Sequence, residues 1–331
     1  MKTALQVFAL LLALAADAEA QPLAAEHRVA LEEAFRLMEH VEPRWPGWDA
    51  APEAVLLVDG DFEFLIGHPN PSDDFRSTGE PSLFGHTVLV RERLSPVGLL
   101  ATYPAVGGVP TIVVGTPAST GLNPTRWILT LVHEHFHQLQ MSLPTYYSEV
   151  AALGLSDPDD GGMWMLNYPF PYADAAASGA VGRLGRVTGA SAATVRGSPG
   201  APVSTSDFLS ARRELTSVLD EKDDRYLAFQ VWQEGIARYA ELDAAERAVE
   251  SFELSRAFTA LPGSESLEAA AEALWTSIAA GADADPSELG RVYFYSLGAL
   301  EAVLLEASRP EWRQHYTQSL FDTRALWDPS R

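Results

Sequence analysis

Residues 133–137 read His-Glu-His-Phe-His, inside an apolar stretch running from Trp127 to Leu139. On a helix of about 3.6 residues per turn, His133 and His137 are four apart and project from one face, while Glu134 lies about 100° around from His133. Two imidazole nitrogens so placed can hold one cation while the carboxylate reaches a water bound to it, the His-Glu-x-x-His arrangement of metal-assisted hydrolysis. His135 falls instead on the face with Ile128, Leu131 and Leu139, where a hydrogen-bonded core histidine is expected. The chain has no cysteine, so any metal ligands are nitrogen and oxygen, and no disulfide contributes to stability.

Rigid placement of the two imidazoles needs a well-defined helix. Asn123 is a candidate N-cap, Pro124 occupies the first helical position, and Pro144 closes the run. A catalytic zinc takes three protein ligands and keeps one position open, so a third donor must come from elsewhere. Glu234 is the best candidate. It lies in Trp232-Gln233-Glu234-Gly235-Ile236-Ala237-Arg238-Tyr239-Ala240-Glu241, where Phe229, Trp232, Ile236 and Tyr239 form a buried stripe and Gly235 lets another helix approach closely.

This segment resembles the Asn-Glu-Gly-Phe-Ala stretch of aminopeptidase-N-like gluzincins, zinc metallopeptidases whose third ligand is that Glu. The resemblance covers residues 127–140, 229–242 and 291–305, and it implies Glu234 as the ligand. It also implies a catalytic Tyr in a helix roughly sixty residues further on, where this chain has Tyr295-Ser296-Leu297-Gly298. Tyr293, two residues away and on roughly the opposite face, is the rival electrophile. The helix carrying both is expected over Pro286–Glu306, with Asp285 as N-cap and Glu288 completing a capping box.

Three departures from the family pattern stand out. Nearly a hundred residues separate His137 from Glu234, where the family spacing is short. The family's substrate-binding strand carries an acid that grips a free amine, and Gly107-Gly108-Val109-Pro110-Thr111, at about the right distance upstream, has none. An Asp expected four residues after the third ligand is replaced by Arg238, leaving Glu241 as the group that can orient a ligand. In the implied mechanism one zinc ion activates a water, Glu134 accepts its proton, and Tyr295 stabilises the developing oxyanion. The reading is a secreted zinc-dependent peptidase acting on peptide or protein substrates. The alternatives are a zinc-binding interaction protein without turnover and a zinc hydrolase of a non-peptide bond.

Around these motifs, Met1 and Lys2 precede an apolar run from Ala4 to Ala16 and a small-x-small site at Ala18-Glu19-Ala20, which read together as a signal peptide over 1–20. Export to the periplasm or beyond is expected. No later stretch approaches the roughly 20 apolar residues of a membrane span. A formal charge of −22 argues against nucleic acid and anionic membranes as partners. With 47% apolar residues the chain can bury a sizeable core.

The expected class is α+β, a mostly helical zincin-like half over 123–331 preceded by a mixed, mainly antiparallel sheet region over 21–122. Helical spacing covers Leu23–Val41, and strands are expected over Ala54–Asp59, Phe62–Gly67, His86–Arg93 and Pro110–Gly115. Further helices are expected over Ser206–Leu219, Asp223–Ala245 and Ser266–Ala280. Ser156–Asp174, rich in Pro, Gly and aromatics, and Ala175–Gly200, rich in small residues, read as one long connection. Asp157, Asp159 and Asp160 read as an acidic turn, since the spacing and closing Glu of a calcium loop are missing. His315 and Tyr316 are expected at the surface, and His68 and His86 receive no function.

Overall fold

In the computed structural model, which describes residues 21–41, 44–156, 163–198, 200 and 204–327, a six-stranded mixed sheet precedes a helical body, the α+β arrangement expected. The strands are β1 (Val55–Asp59), β2 (Phe62–Ile66), β3 (Arg76–Ser77), β4 (Leu89–Glu92), β5 (Leu100–Val106) and β6 (Val109–Gly115). They lie in the order β3-β4-β2-β1-β6-β5, with β1 and β6 parallel and every other pairing antiparallel. Period-two alternation sorts the side chains. Val55 and Leu57 of β1 join the main core against the helices, whereas Leu56 and Val58 join a smaller cluster on the other face with Leu65 and Val113.

Four strands match the expected segments; the two-residue β3 and the longer β5 fall outside them, and β5 shows why. Pro104 interrupts its apolar pattern, and the structure accommodates it at a register break between Tyr103 and Val106 on an edge strand. An edge tolerates a residue without an N–H, so proline there does not forbid a strand.

The helices are α1 (Ala25–Val41), α2 (Pro117–Thr120), α3 (Pro124–Met141), α4 (Tyr146–Ala152), α5 (Trp164–Asn167), α6 (Ala175–Gly197), α7 (Ser206–Val218), α8 (Glu221–Gln230), α9 (Ile236–Ser251), α10 (Arg256–Thr259), α11 (Leu267–Asp283), α12 (Pro286–Leu289), α13 (Tyr293–Ser308) and α14 (Trp312–Tyr316). The supposed connection over Ala175–Gly200 is mostly α6, capped by Asp174, whose carboxylate accepts from the backbone N–H groups of Ala176 and Ala177. Its small residues serve packing. A Cβ at Gly185 would overlap the Tyr293 hydroxyl, so the glycine is what lets α13 approach. The helix expected over Pro286–Glu306 is also broken. Asp285 caps α12 as expected, but Gly290, at φ 56°, ends it, and α13 starts afresh at Tyr293.

α3 sits between the sheet and the helical body, with almost every residue from Trp127 to Gln140 buried. Asn123 caps it as expected, accepting from the Arg126 N–H at 2.8 Å. Two side chains pin it to the sheet, Trp127 through Gly115 O at 2.8 Å and Gln138 through Ala54 O at 2.8 Å and Pro110 O at 2.9 Å. One hydrophobic cluster runs from Leu23 to Trp327, so the change from strands to helices near residue 122 is not a break in the core. Among the described residues, no helix is long and apolar enough to cross a membrane. The expected signal segment 1–20 and the acidic turn at Asp157, Asp159 and Asp160 lie outside the described residues.

Candidate metal centre

The third expected ligand lies in a locally unusual turn. α8 and α9 form one continuous helix interrupted by a π-helical turn over Val231–Gly235, in which Ile236 N–H donates to Val231 O, five residues back. Such a turn inserts one residue and widens the helix, and it occurs disproportionately at functional sites. It carries Glu234. Immediately after it, Gly235 crosses Gly298 of α13 backbone to backbone. A Cβ on Gly298 would lie 2.6 Å from Gly235 Cα and 2.8 Å from Val231 O.

This crossing brings Glu234 to the two imidazoles of α3. His133 Nε2 and His137 Nε2 are 3.1 Å apart, and Glu234 Oε2 lies 3.7 Å from the first and 3.3 Å from the second. Donors held about 2.0–2.1 Å from a tetrahedral ion are separated by roughly 3.3 Å. The three edges match that figure, and His133, His137 and Glu234 together could hold a metal ion.

The surrounding hydrogen bonds decide which imidazole nitrogens are free to ligate. Gln140 Nε2 donates to Trp232 O at 3.1 Å and Gln233 O at 2.9 Å, which turns its carbonyl oxygen toward His137 Nδ1 at 2.7 Å. Gln233 Nε2 lies 3.0 Å from the same nitrogen, but the shorter contact is to a carbonyl oxygen, which only accepts; with the proton on Nδ1, Nε2 presents a lone pair to the triad. His133 Nδ1 is buried without a hydrogen bond, and the Glu241 carboxylate faces it at 3.6 Å. Both Nε2 atoms and a carboxylate oxygen converge on one point, where a shared proton or a cation offsets the crowding of acceptors.

Electrostatics agree with this description. Against the cost of burial, His137 and His133 hold the Glu234 carboxyl well below the usual carboxylate range. Burial opposes the protonated form of His133, yet the facing carboxylates of Glu234 and Glu241 push that imidazole up to about 9. Burial likewise opposes ionisation of Glu241, yet Arg238, 2.7 Å away, and His133 hold it at about 2. Arg238 thus anchors Glu241, whose carboxylate faces His133 Nδ1 at 3.6 Å. Glu234 and Glu241 are seven residues apart, two turns along one helix face.

Glu134 points to the sheet side of α3. Its Oε2 accepts from Thr102 Oγ1 of β5 at 2.8 Å, and the same hydroxyl lies 3.0 Å from the Glu134 carbonyl oxygen. The edge strand beside the centre is thus β5. Val109, Pro110 and Thr111 belong to interior strand β6, and Gly107 and Gly108 lie between β5 and β6, so the segment aligned by resemblance is not the edge.

The two tyrosines of α13 separate cleanly. Tyr293 is buried and donates to Ala282 O at 2.9 Å, a packing role away from the triad. Tyr295 lies parallel to the His133 ring at a centroid distance of 6.1 Å, and its hydroxyl accepts from Arg291 Nη1 at 2.8 Å. Burial and the Glu234 carboxylate push its phenol up, so the hydroxyl stays a donor. Arg291 Nη1 also lies 3.8 Å from Glu234 Oε1.

His135 behaves as expected, buried with Nδ1 2.7 Å from Gln138 Oε1 and its ring edge-on to Trp48. Tyr316 does not. Expected at the surface, it is fully buried, donating to Trp232 O at 2.8 Å and accepting from Gln140 Nε2 at 2.7 Å. Sequence reading also missed Gln140, Gln233 and Thr102. Gln140 sits three residues after His137 and so shares its face, which was a usable signal. Thr102 and Tyr316 reach the centre only through tertiary packing.

Gln140→Leu removes the carbonyl oxygen that faces His137 Nδ1 at 2.7 Å and leaves Gln233 Nε2 as its remaining contact. Metal affinity is expected to fall about 10–100-fold, read by competition against a chelator of known affinity. Unchanged affinity would show that Gln140 does not position the ligand. Compared with known protein families, curated proteins and solved structures, the chain finds no match.

Proposed function

We propose that the chain is a zinc-dependent peptidase of the gluzincin type, with His133, His137 and Glu234 as ligands, Glu134 as proton acceptor and Tyr295 as oxyanion donor. The observation that carries the reading is the meeting of two imidazole nitrogens of α3 and the Glu234 carboxylate at tetrahedral ligand spacing, with the buried Glu134 next to His133 on α3. When bound, zinc supplies Lewis acidity toward a water and a carbonyl oxygen. Glu134 accepts the water's proton and returns it to the leaving amine, held in place by Thr102. Tyr295, kept protonated and aimed by Arg291, donates to the oxygen on which negative charge develops.

A peptide substrate is favoured by β5, whose outer edge has no strand partner among the described residues. An extended chain can pair with such an edge through its own backbone. Export, read from residues 1–20, is part of the same proposal. Metal analysis of the purified protein, combined with a peptide-library digest with and without chelator, tests the reading. Stoichiometric metal with no cleavage would make it a metal-binding protein instead. Tyr295→Phe is expected to lower kcat by about 10²–10³ with KM little changed, the signature of a donor used in the transition state. A change confined to KM would move Tyr295 from catalysis to ground-state binding.

A further inference from the structure

One cation beside the triad has donors to spare. Arg291, in the turn over Gly290–Val292 that precedes α13, gives Nη1 to the Tyr295 hydroxyl at 2.8 Å. Its side chain keeps 27% of its surface exposed, and Nε and Nη2 are neither buried nor hydrogen-bonded among the described residues. Those two nitrogens share one edge of the planar guanidinium, the fork that takes a carboxylate through two parallel hydrogen bonds. Nη1 is also 3.8 Å from Glu234 Oε1, so the fork stands about one extended residue's length from the ligand cluster.

Charge decides which end of a peptide belongs there. Three carboxylates, Glu134, Glu234 and Glu241, stand around the centre against two guanidiniums, Arg238 and Arg291. The one excess negative charge becomes one excess positive charge when a divalent ion binds, and a single carboxylate neutralises it. An α-ammonium finds no such match. Glu134 is held by Thr102, Glu241 by Arg238, and Glu234 faces the imidazoles, while edge strand β5 carries no acidic residue.

We infer that Arg291 binds the C-terminal carboxylate of the substrate through Nε and Nη2, which makes the chain a carboxypeptidase that removes one residue at a time. The inference rests on the peptidase reading of the centre. Hydrolysis adds the hydroxyl of one water to the scissile carbonyl carbon and its proton to the departing nitrogen, so the products are one free amino acid and a peptide one residue shorter. The fork places the last peptide bond, and no other, at the centre.

For the test, the zinc-loaded full chain is given N-acetylated hexapeptides, each made as the free acid and as the C-terminal amide. The acid is expected to lose one residue with kcat/KM at least about tenfold above that of its amide, the scale of a lost charge-assisted contact. Arg291→Gln is expected to slow both and erase the ratio, whereas Tyr295→Phe slows both and keeps it, because only the first removes the fork. Zinc-loaded Glu134→Gln, which turns over slowly, supplies a binding readout. By calorimetry it is expected to bind the acid at least about tenfold more tightly than the amide, a preference lost in Glu134→Gln/Arg291→Gln. Internal cleavage, equal kcat/KM for acid and amide, a ratio kept in Arg291→Gln, or an amide ending in Glu cut as fast as the acid would each overturn the inference and leave the peptidase reading standing. No cleavage of any peptide would remove that reading and the inference with it.

Discussion

Glu134→Gln is expected to retain a full equivalent of metal while peptide hydrolysis falls by about 10²–10⁴, the usual contribution of a positioned general base. Each factor of ten corresponds to about 1.36 kcal/mol of barrier, so the loss amounts to roughly 3–5 kcal/mol. The substitution is nearly isosteric and can keep the Thr102 contact, so it removes proton acceptance and little else. None of the three ligand atoms belongs to residue 134, which is why binding and turnover separate. Metal content by atomic spectroscopy and turnover on the best library peptide provide the two readouts. Undiminished turnover in protein free of contaminating protease would remove Glu134 from the chemistry.

The second large effect concerns a place with no side chain at all. Gly298→Val puts methyl groups where Gly235 Cα and the Val231 carbonyl already stand, within 2.6 and 2.8 Å of the first added carbon. Neither obstacle is a flexible side chain, so the two helices must part. Overpacking of this kind costs about 1–3 kcal/mol, and here the displaced element is the π turn that carries Glu234. The variant is expected to lose both stability in urea and metal affinity. Gly179→Ala is the control. Nothing lies within 4 Å of the added carbon on that helix, and a gain of about 0.4–1 kcal/mol is expected. Full metal affinity in Gly298→Val would show that the crossing does not set the ligand position.

Sequence legibility followed locality. His133, Glu134 and His137 were readable because their geometry is fixed by one helix with clear start and stop signals at Asn123, Pro124 and Pro144. Glu234 needed context, since nothing local distinguishes a ligand Glu from a solvated one, and the π turn around it has no sequence signature. Glu241 was visible only as a candidate, because its value depends on facing His133 across an interhelical contact. The Ala175–Gly197 helix was misread since its glycines and alanines resemble a loop, whereas they exist to admit Tyr293 and Ala282. Tyr316 was misplaced for the opposite reason. An aromatic in a short terminal helix looks peripheral until the partner that buries it, Trp232 stacked at 4.8 Å, is known.

Gln140 ties together parts of the chain that are far apart in synthesis, joining His137 to the backbone of Trp232 and Gln233 and to the hydroxyl of Tyr316. A growing polypeptide therefore has the paired imidazoles long before it has the scaffold that holds them in a ligating tautomer. Any ion capture is therefore expected at the end of maturation rather than its beginning, with a nascent chain still lacking its last short helix a poorer chelator. On the proposed reading, that ordering would keep the centre dormant until the surrounding protein is complete.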